Sequence, residues 1–498
     1  VDDAKVLDAY TIKYGFLVAK IEIVRAEKDF VSHYRTNIQT ISPSTKIILN
    51  KIRDEFISSI QEHKHNVFGE KQAEVAQGDI RDRFKEEVEI LIQKYFPGIN
   101  ASTRNVLVSY MMLENMGLGN IELILKDENL EEIVVNSAKE PVWVYHKTYG
   151  WLKTNVFIKN ENKIRHYSTM IGREVGKDIT VLNPLMDAHL RTGDRVNATL
   201  NPISTFGNTI TIRKFAAKPW IISDFIESKT ISLSAAAFVW LAMQHELSTL
   251  IVGGTGSGKT SMLNVLANFF PPNQRIISIE DTREITLPKS LHWVPMETRM
   301  PNPEGKGGVS MLDLVVNSLR MRPDRIIVGE IRRKKEAEVL FEAMHTGHSV
   351  YATLHANNAN EAIMRLTNPP IDIPKPVLPA LSLLLVQNRN RRTGNRRTLQ
   401  LAEVTPKGDA NVFMQLNMVE DSLKKIKEPT NIHNAINLYT GMTKKEIDSD
   451  LNDKVSILKA ITKVKGLDVD KVGYILAKYY TTDNFGINKI PGYLKEFG

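Results

Sequence analysis

The chain of 498 residues contains no cysteine. That absence excludes a disulfide framework, a thiolate zinc ribbon, an iron–sulfur cluster and a thiol nucleophile; it also fits a heat-stable chain. Long apolar runs are missing too. The longest candidates, Ala235 to Met243 and Leu381 to Val386, fall far short of the ~18 to 20 residues that cross a bilayer. The opening Val1-Asp-Asp-Ala-Lys5 lacks the basic and then apolar order of a signal peptide, so residence in the cytoplasm is expected. No fixed-period repeat occurs, and no biased tract is longer than Gly305 to Gly308, which argues against a solenoid. Charge of one sign is scarce: 65 Lys and Arg against 57 Asp and Glu leave +8. Such an excess permits an acidic partner without requiring one.

What is present reads as a folded, multidomain protein. The length exceeds what a single core supports and implies two to four domains. Phe16 to Ala26 alternates like a strand, while Ile48, Ile52, Phe56 and Ile60 recur every four residues and predict a helix over 44–63. Further helices are expected over Ile80 to Tyr95 and from a cap at Ser102 or Thr103 to Gly117. Residues 1–100 are therefore expected to be mainly helical and to bind a partner. Short β-rich pieces follow at Ile133 to Val135, Val142 to Tyr145 and Thr209 to Arg213, giving an α+β domain over 101–218. After a linker near Ala216 to Ser223, with 219–223 as its core, strands Leu250 to Val252, Ile276 to Ile279 and Ile326 to Val328 alternate with helices. Alternation of that kind predicts an α/β domain with a parallel sheet over 224–498. A capping box at Thr443 and Glu446, and the apolar face of Val469 to Tyr479, predict a helical C-terminal subdomain.

The most informative segment follows the strand Thr249-Leu-Ile-Val252. There Gly253, Gly254, Thr255, Gly256, Ser257, Gly258, Lys259 and Thr260, with Ser261 after them, lead directly into a helical pattern. This is the strand, loop and helix context of a Walker A phosphate loop. Glycines let backbone N–H groups converge on phosphate, and the helix N-terminus adds partial positive charge. Lys259 is expected to reach the β- and γ-phosphates and the Thr260 hydroxyl to bind Mg2+, so ATP with Mg2+ is the expected ligand.

Acidic residues follow two later strands. Glu280-Asp281 ends Ile276-Ile-Ser-Ile, and Glu330 ends Arg325-Ile-Ile-Val-Gly329 in a Walker B-like pattern. Ligands of parallel sheets gather at these strand ends. Glu280 and Glu330 are thus candidates for Mg2+ ligands, and Glu330 or Glu280 for the group that orients or deprotonates water. His345, His348 and His355 bracket an apolar strand at 349–354. Their spacing offers no clean zinc set, and the expectation is nucleotide sensing by histidines at both strand ends, His348 and His355.

With the Walker A loop, the Glu280-Asp281 box, the Gly-Glu form of Walker B and the histidine box in this order, the chain resembles the type II and type IV secretion ATPases. The resemblance runs from about Ser102 to Leu366 and includes Asp127, Glu131-Glu132-Ile133 and Arg191-Thr-Gly-Asp-Arg195-Val. It implies a RecA-like ATPase domain, a homohexameric ring, and domain movements that power a filament or secretion machine. Arg195 and Arg213 match family arginines that contact nucleotide when domains close; Arg320, Arg322 and Arg332 flank Walker B. Lack of cysteine and a long N-terminal region resemble the branch that drives archaella. Partners implied are a polytopic membrane platform protein and accessory cytoplasmic ring or regulatory proteins, with the motor peripheral at the inner face of the membrane.

Arg389, Arg391, Arg392, Arg396 and Arg397 surround Thr393-Gly-Asn395, a turn expected to project charge towards solvent and an anionic lipid surface. A nucleic-acid motor is the rival class; no aromatic residue interleaves with these arginines, and nucleic acid is not expected as the partner.

Overall fold

The computed structural model describes residues 5–25, 29–38, 41–66, 77–190, 192–215, 219–301, 305–482 and 485–497. Arg191 and the start of the expected linker, 216–218, lie outside them. Two compact units partition the chain, Val1–Ala217 and Lys218–Gly498.

The first unit opens with strands β1 (Lys5–Tyr14), β2 (Leu17–Arg25) and β3 (His33–Ile38), then helices α1 (Pro43–Asn66), α2 (Gln77–Tyr95), α3 (Ala101–Met116) and α4 (Asn120–Ile124). There follow β4 (Leu130–Val135), β5 (Trp143–His146), β6 (Gly150–Thr154), α5 (Glu161–Glu174), β7 (Leu185–His189), β8 (Arg195–Thr199) and β9 (Thr209–Arg213). One sheet unites the strands in the order β1-β2-β3-β6-β5-β4-β9-β8-β7. This corrects the expectation that residues 1–100 stand apart from the next domain: beside the expected helices α1 and α2, they give three strands to a sheet shared with it. The joint is a short parallel pairing, His33 with Lys153 and Tyr34 with Thr154, sealed by the Asn155 side chain bonding the Thr36 N–H at 2.8 Å and its carbonyl at 3.0 Å. In β2, Leu17, Ala19, Ile21 and Ile23 are buried while Val18 is exposed, the alternation visible in the sequence. β1 carries no such signal because most of its residues are exposed. Helices α1 to α3 pack through Leu49, Ile52, Phe84, Val88, Ile92 and Met111. The cap of α3 is Asn100, whose side chain accepts from the Thr103 N–H at 2.7 Å, in place of Ser102 or Thr103.

The second unit begins with α6 (Ile222–Glu227), which takes up the end of the expected linker, and α7 (Leu233–Gln244). It continues through β10 (Thr249–Gly253), α8 (Lys259–Ala267), β11 (Arg275–Glu280), β12 (His292–Glu297), α9 (Met311–Ser318), β13 (Arg325–Val328), α10 (Lys334–His345), β14 (Ser349–Leu354) and α11 (Ala359–Thr367). Strands β15 (Leu383–Arg389), β16 (Arg396–Val404), β17 (Ala410–Asn417) and β18 (Ser422–Lys425) precede α12 (Thr430–Thr440), α13 (Lys444–Ile461), α14 (Val469–Thr481) and α15 (Ile490–Phe497). The sheet order is β12-β11-β13-β14-β10-β15-β16-β17-β18. β10 to β15 are mutually parallel, and β16 to β18 add an antiparallel extension. The expected α/β core with a parallel sheet is present; the antiparallel extension was not expected. α7 is apolar all round and buried from Ala235 to Met243, which suits a helix enclosed between the sheet and α13. Apolar residues of α13 and α14, among them Ile447, Ile457, Leu458, Ile461 and Ile475, join the same core. Among the described residues no helix is long and apolar enough to cross a membrane.

Candidate functional site

Parallel strands align their C-terminal ends. Val252 is in register with Leu354, Val328 with Ala352, and Ile279 with Val328. The loop after β10, Glu280 at the end of β11, Glu330 just past β13 and His355 just past β14 therefore share one edge of the sheet. The loop is a tight cradle. A Cβ on Gly253 would lie 2.6 Å from the Gln387 carbonyl oxygen, and Gly256 and Gly258 hold φ of +72° and +88°, a region that disfavours side chains. Gly258 caps α8, so Lys259 and Thr260 form its first turn, where unpaired N–H groups and the helix dipole favour an anion.

Lys259 is buried. Its Nζ lies 3.3 Å from the Gly254 carbonyl and 3.2 Å from His355 Nδ1. Burial lowers the lysine pKa, opposed by the Glu330 charge. His355 Nε2 sits 3.0 Å from Glu330 Oε1. Burial and the Lys259 charge lower the His355 pKa against the opposing Glu330 charge, which favours a neutral ring; its arrangement suits Nε2–H donating to Glu330 and Nδ1 accepting from Lys259. Glu330 Oε2 accepts from Arg332 Nε at 2.9 Å and Nη2 at 2.6 Å, and Arg332 Nη1 donates to Asp281. A continuous polar chain thus runs Lys259, His355, Glu330, Arg332, Asp281.

Glu280 lies deeper, at 2% exposure. Its Oε2 accepts from the N–H groups of Glu284 at 2.7 Å and Ile285 at 3.0 Å, shaping the loop after β11. Burial pushes its pKa up to about 7 against those two hydrogen bonds. Its Oε1 is buried and has no hydrogen-bond partner. That orphaned oxygen, the Thr260 hydroxyl and Glu330 are oxygen donors suited to Mg2+. Among the described residues no group of three His, Asp or Glu side chains is arranged to hold a metal unaided; Mg2+ does not need one, since it retains waters and phosphate oxygens.

A family model for type II/IV secretion system proteins matches residues 176–408. The chain is 33% identical over 382 residues to uncharacterized protein MJ0900 of Methanocaldococcus jannaschii, covering 71% of this chain and 69% of that one. It is 30% identical over 266 residues to the type IV secretion system protein PtlH of Bordetella pertussis, covering 49% of this chain and 77% of that one. The chain belongs to the type II/IV secretion system protein family. Among solved structures, the ATPase DotB of Yersinia pseudotuberculosis aligns at TM-score 0.44 and 17% identity, over 72% of this chain and 92% of that chain.

The stretch matched by the secretion family contains all the residues of the polar chain, together with Arg195 and Arg213 of the first unit. Arg195 and Arg213 are cross-strand neighbours on β8 and β9. Like charges in such a pair repel, and each has an acid nearby. Arg195 binds Asp187 at 2.8 Å and 3.2 Å; Arg213 lies opposite Glu132 on β4. Both arginines are exposed.

Two sequence expectations are corrected here. His348 stands at the opposite end of β14 from His355, about 20 Å away by strand rise, with Nδ1 3.2 Å from both the Ala343 carbonyl and Thr346 Oγ1. It belongs to the end of α10, as does His345, and not to the loop edge. Arg320 and Arg322 likewise precede β13, at its far end from Glu330. The basic cluster is the second correction. Only Arg391 and Arg392 are exposed on the turn. Arg397 is held by Asp421 at 2.7 Å and 2.9 Å, and Arg396 donates to the Gly256 carbonyl at 3.1 Å. The sequence offered one signal for this, the turn at Thr393-Gly-Asn395, but no indication that β15 lies beside β10.

Proposed function

We propose that this protein is a Mg2+-dependent ATP-hydrolysing motor of the type II/IV secretion family. The observation that carries the reading is the chain Lys259–His355–Glu330, which ends a phosphate loop in a carboxylate. On nucleotide binding, Lys259 exchanges the Gly254 carbonyl and His355 for phosphate oxygens, and the loop N–H groups take the rest of the phosphate charge. Thr260 and the carboxylate edge would hold Mg2+, which would supply neutralisation of the phosphate charge. Glu330 accepts a proton from a water whose oxygen bonds to the γ-phosphorus, while the bond to the bridging oxygen breaks and its electron pair leaves with ADP. His355, donating to Glu330 Oε1, orients that carboxylate. Glu280, whose Oε1 is buried without a hydrogen-bond partner, is the alternative candidate for base.

Arg195 and Arg213 are proposed to complete the site when domains or subunits close, in a homohexameric ring. The machine proposed is an archaellum, with a related pilus or secretion system as the alternative. Support comes from the absence of cysteine, the long first unit and a relative in Methanocaldococcus jannaschii. A polytopic membrane platform protein is the expected partner, with accessory cytoplasmic ring or regulatory proteins, at the cytoplasmic face of the membrane. Engagement of Arg396 and Arg397 within their own unit removes the observation that favoured a nucleic-acid track, and leaves Arg391 and Arg392 as the pair available to an anionic lipid surface.

Turnover and nucleotide affinity test the reading together. Lys259→Ala abolishes hydrolysis and weakens ATP binding, whereas Glu330→Gln keeps ATP binding and slows hydrolysis at least ~100-fold. Wild-type turnover in Lys259→Ala would overturn the proposal. Copurification with the membrane platform protein, and stimulation of turnover by it but not by single-stranded DNA, tests the filament reading.

A further inference from the structure

The backbone on either side of Glu330 is pinned. The Gly329 N–H donates to the Ile279 carbonyl at 2.9 Å and the Ile331 N–H to the Thr353 carbonyl at 3.0 Å, while Thr353 Oγ1 donates to the Gly329 carbonyl at 2.5 Å. Only the side chain remains to be aimed, and its two oxygens have different surroundings. Oε2 accepts from both Nε and Nη2 of Arg332, at 2.9 Å and 2.6 Å. Among the described residues, Oε1 meets His355 Nε2 at 3.0 Å and no other donor. A carboxylate oxygen offers about two lone-pair sites, so Oε2 is filled and Oε1 keeps one open. The open site is on the oxygen that bonds His355, whose other ring nitrogen faces Lys259 of the phosphate loop.

Arg332 is itself held. Its Nη1 donates to Asp281 Oδ2 at 2.5 Å, so one guanidinium bridges the acids that follow the paired strands β11 and β13. Asp281 in turn accepts from Thr298 Oγ1 at 3.3 Å. The side chains of Arg332 and Asp281 are 58% and 42% exposed, and an ion pair so wet contributes at most about 1 kcal/mol to stability. Its effect is geometric, because a planar fork with fixed donor directions sets the rotation of the carboxylate it grips.

We infer, resting on the ATPase reading above, that Arg332 and Asp281 are positioning residues that give the two oxygens of Glu330 different tasks. Asp281 steadies Arg332, Arg332 fills Oε2, and Oε1 takes the proton of the attacking water.

The test follows single-turnover hydrolysis, ATP affinity and melting temperature in the full chain. Arg332→Gln slows hydrolysis about 30-fold, with ATP affinity within about twofold of wild type and the melting temperature unchanged. Asp281→Ala slows hydrolysis about fivefold, and the double variant is no slower than Arg332→Gln alone, because Asp281 acts through Arg332. Arg332→Lys, a point charge without the fork, recovers part of the rate and covers a glutamine variant that folds poorly. In a Glu330→Gln background, Arg332→Gln leaves the residual rate where it was, which separates aiming Glu330 from touching phosphate or supporting the fold. An unslowed Arg332→Gln, a loss of ATP affinity equal to the loss of rate, or the full effect of Arg332→Gln in the Glu330→Gln background would each overturn the role of Arg332. Multiplied losses in the double variant would overturn that of Asp281. A wild-type chain that hydrolyses no ATP, or a Glu330→Gln variant as fast as wild type, fails the ATPase reading instead.

Discussion

Glu280 illustrates how burial alone changes what a carboxylate does. Its pKa is raised from 4.5 to about 7 because it is desolvated, despite two N–H donors. The folded protein therefore binds a proton that the unfolded chain has already lost between these two values. Stability of the nucleotide-free protein falls as pH rises from about 4.5 to about 7, and the cost, about 3 kcal/mol, is complete above that window. Glu280→Gln flattens the slope, as thermal or denaturant unfolding at several pH values will reveal; an unchanged slope assigns it to other groups. His355 faces the reverse demand, since it must stay neutral between a lysine and a carboxylate. His355→Ala frees Glu330 from its orienting hydrogen bond, and turnover is expected to fall ~10- to 100-fold with a much smaller change in ATP affinity. Walker residues were readable one by one because each has a motif; the partner of His355 was not, because nothing in spacing says that Lys259 and residue 355, almost a hundred positions apart, touch.

At the scale of elements, the first unit is tied together by Asp127. The residue is buried and its Oδ2 accepts from Tyr10 of β1 at 2.6 Å and Tyr34 of β3 at 2.7 Å, while its carbonyl accepts from Lys214 just beyond β9. Asp127→Ala strands the buried Tyr34 phenol and the half-buried Tyr10 phenol and is expected to cost about 3 kcal/mol; Tyr10→Phe and Tyr34→Phe cost less, and unfolding curves will rank the three. The family resemblance singled out Asp127, but its role depends on β1 and β3, neither of which sequence periodicity found. By contrast, the start of α13 was legible because capping is local. Thr443 Oγ1 accepts from the Glu446 N–H, and the Glu446 carboxylate accepts from Thr443 at 2.7 Å. Thr443→Ala is expected to destabilise by about 1 kcal/mol without altering ATP turnover.

At the scale of the whole molecule, the residues proposed for the chemistry fall in two units. The phosphate loop, acids and His355 belong to Lys218–Gly498, whereas Arg195 and Arg213 belong to Val1–Ala217. If the two arginines act only on closure, Arg195→Ala and Arg213→Ala lose turnover by about a hundredfold or more and ATP affinity by little. Equal losses would make them simple binding residues. Light scattering with a nonhydrolysable ATP analogue is expected to register a ring, and a monomer under those conditions would count against the hexamer.

The sequence by itself determined what short-range physics can encode. The phosphate loop follows from glycines and a lysine in one stretch, the acids from their position after apolar strands, and α1, α2, α13 and α14 from a repeat of about 3.6 residues. Tertiary structure decided everything that requires two distant segments to meet. β3 finds β6 and joins the opening strands to one sheet; β14 runs so that His355 faces the loop and His348 the opposite edge. β15 lies beside β10 and turns an apparently solvated run of arginines onto the phosphate loop. Strand pairing is non-local, and a side chain's neighbours are set by sheet order, which no single stretch of residues contains.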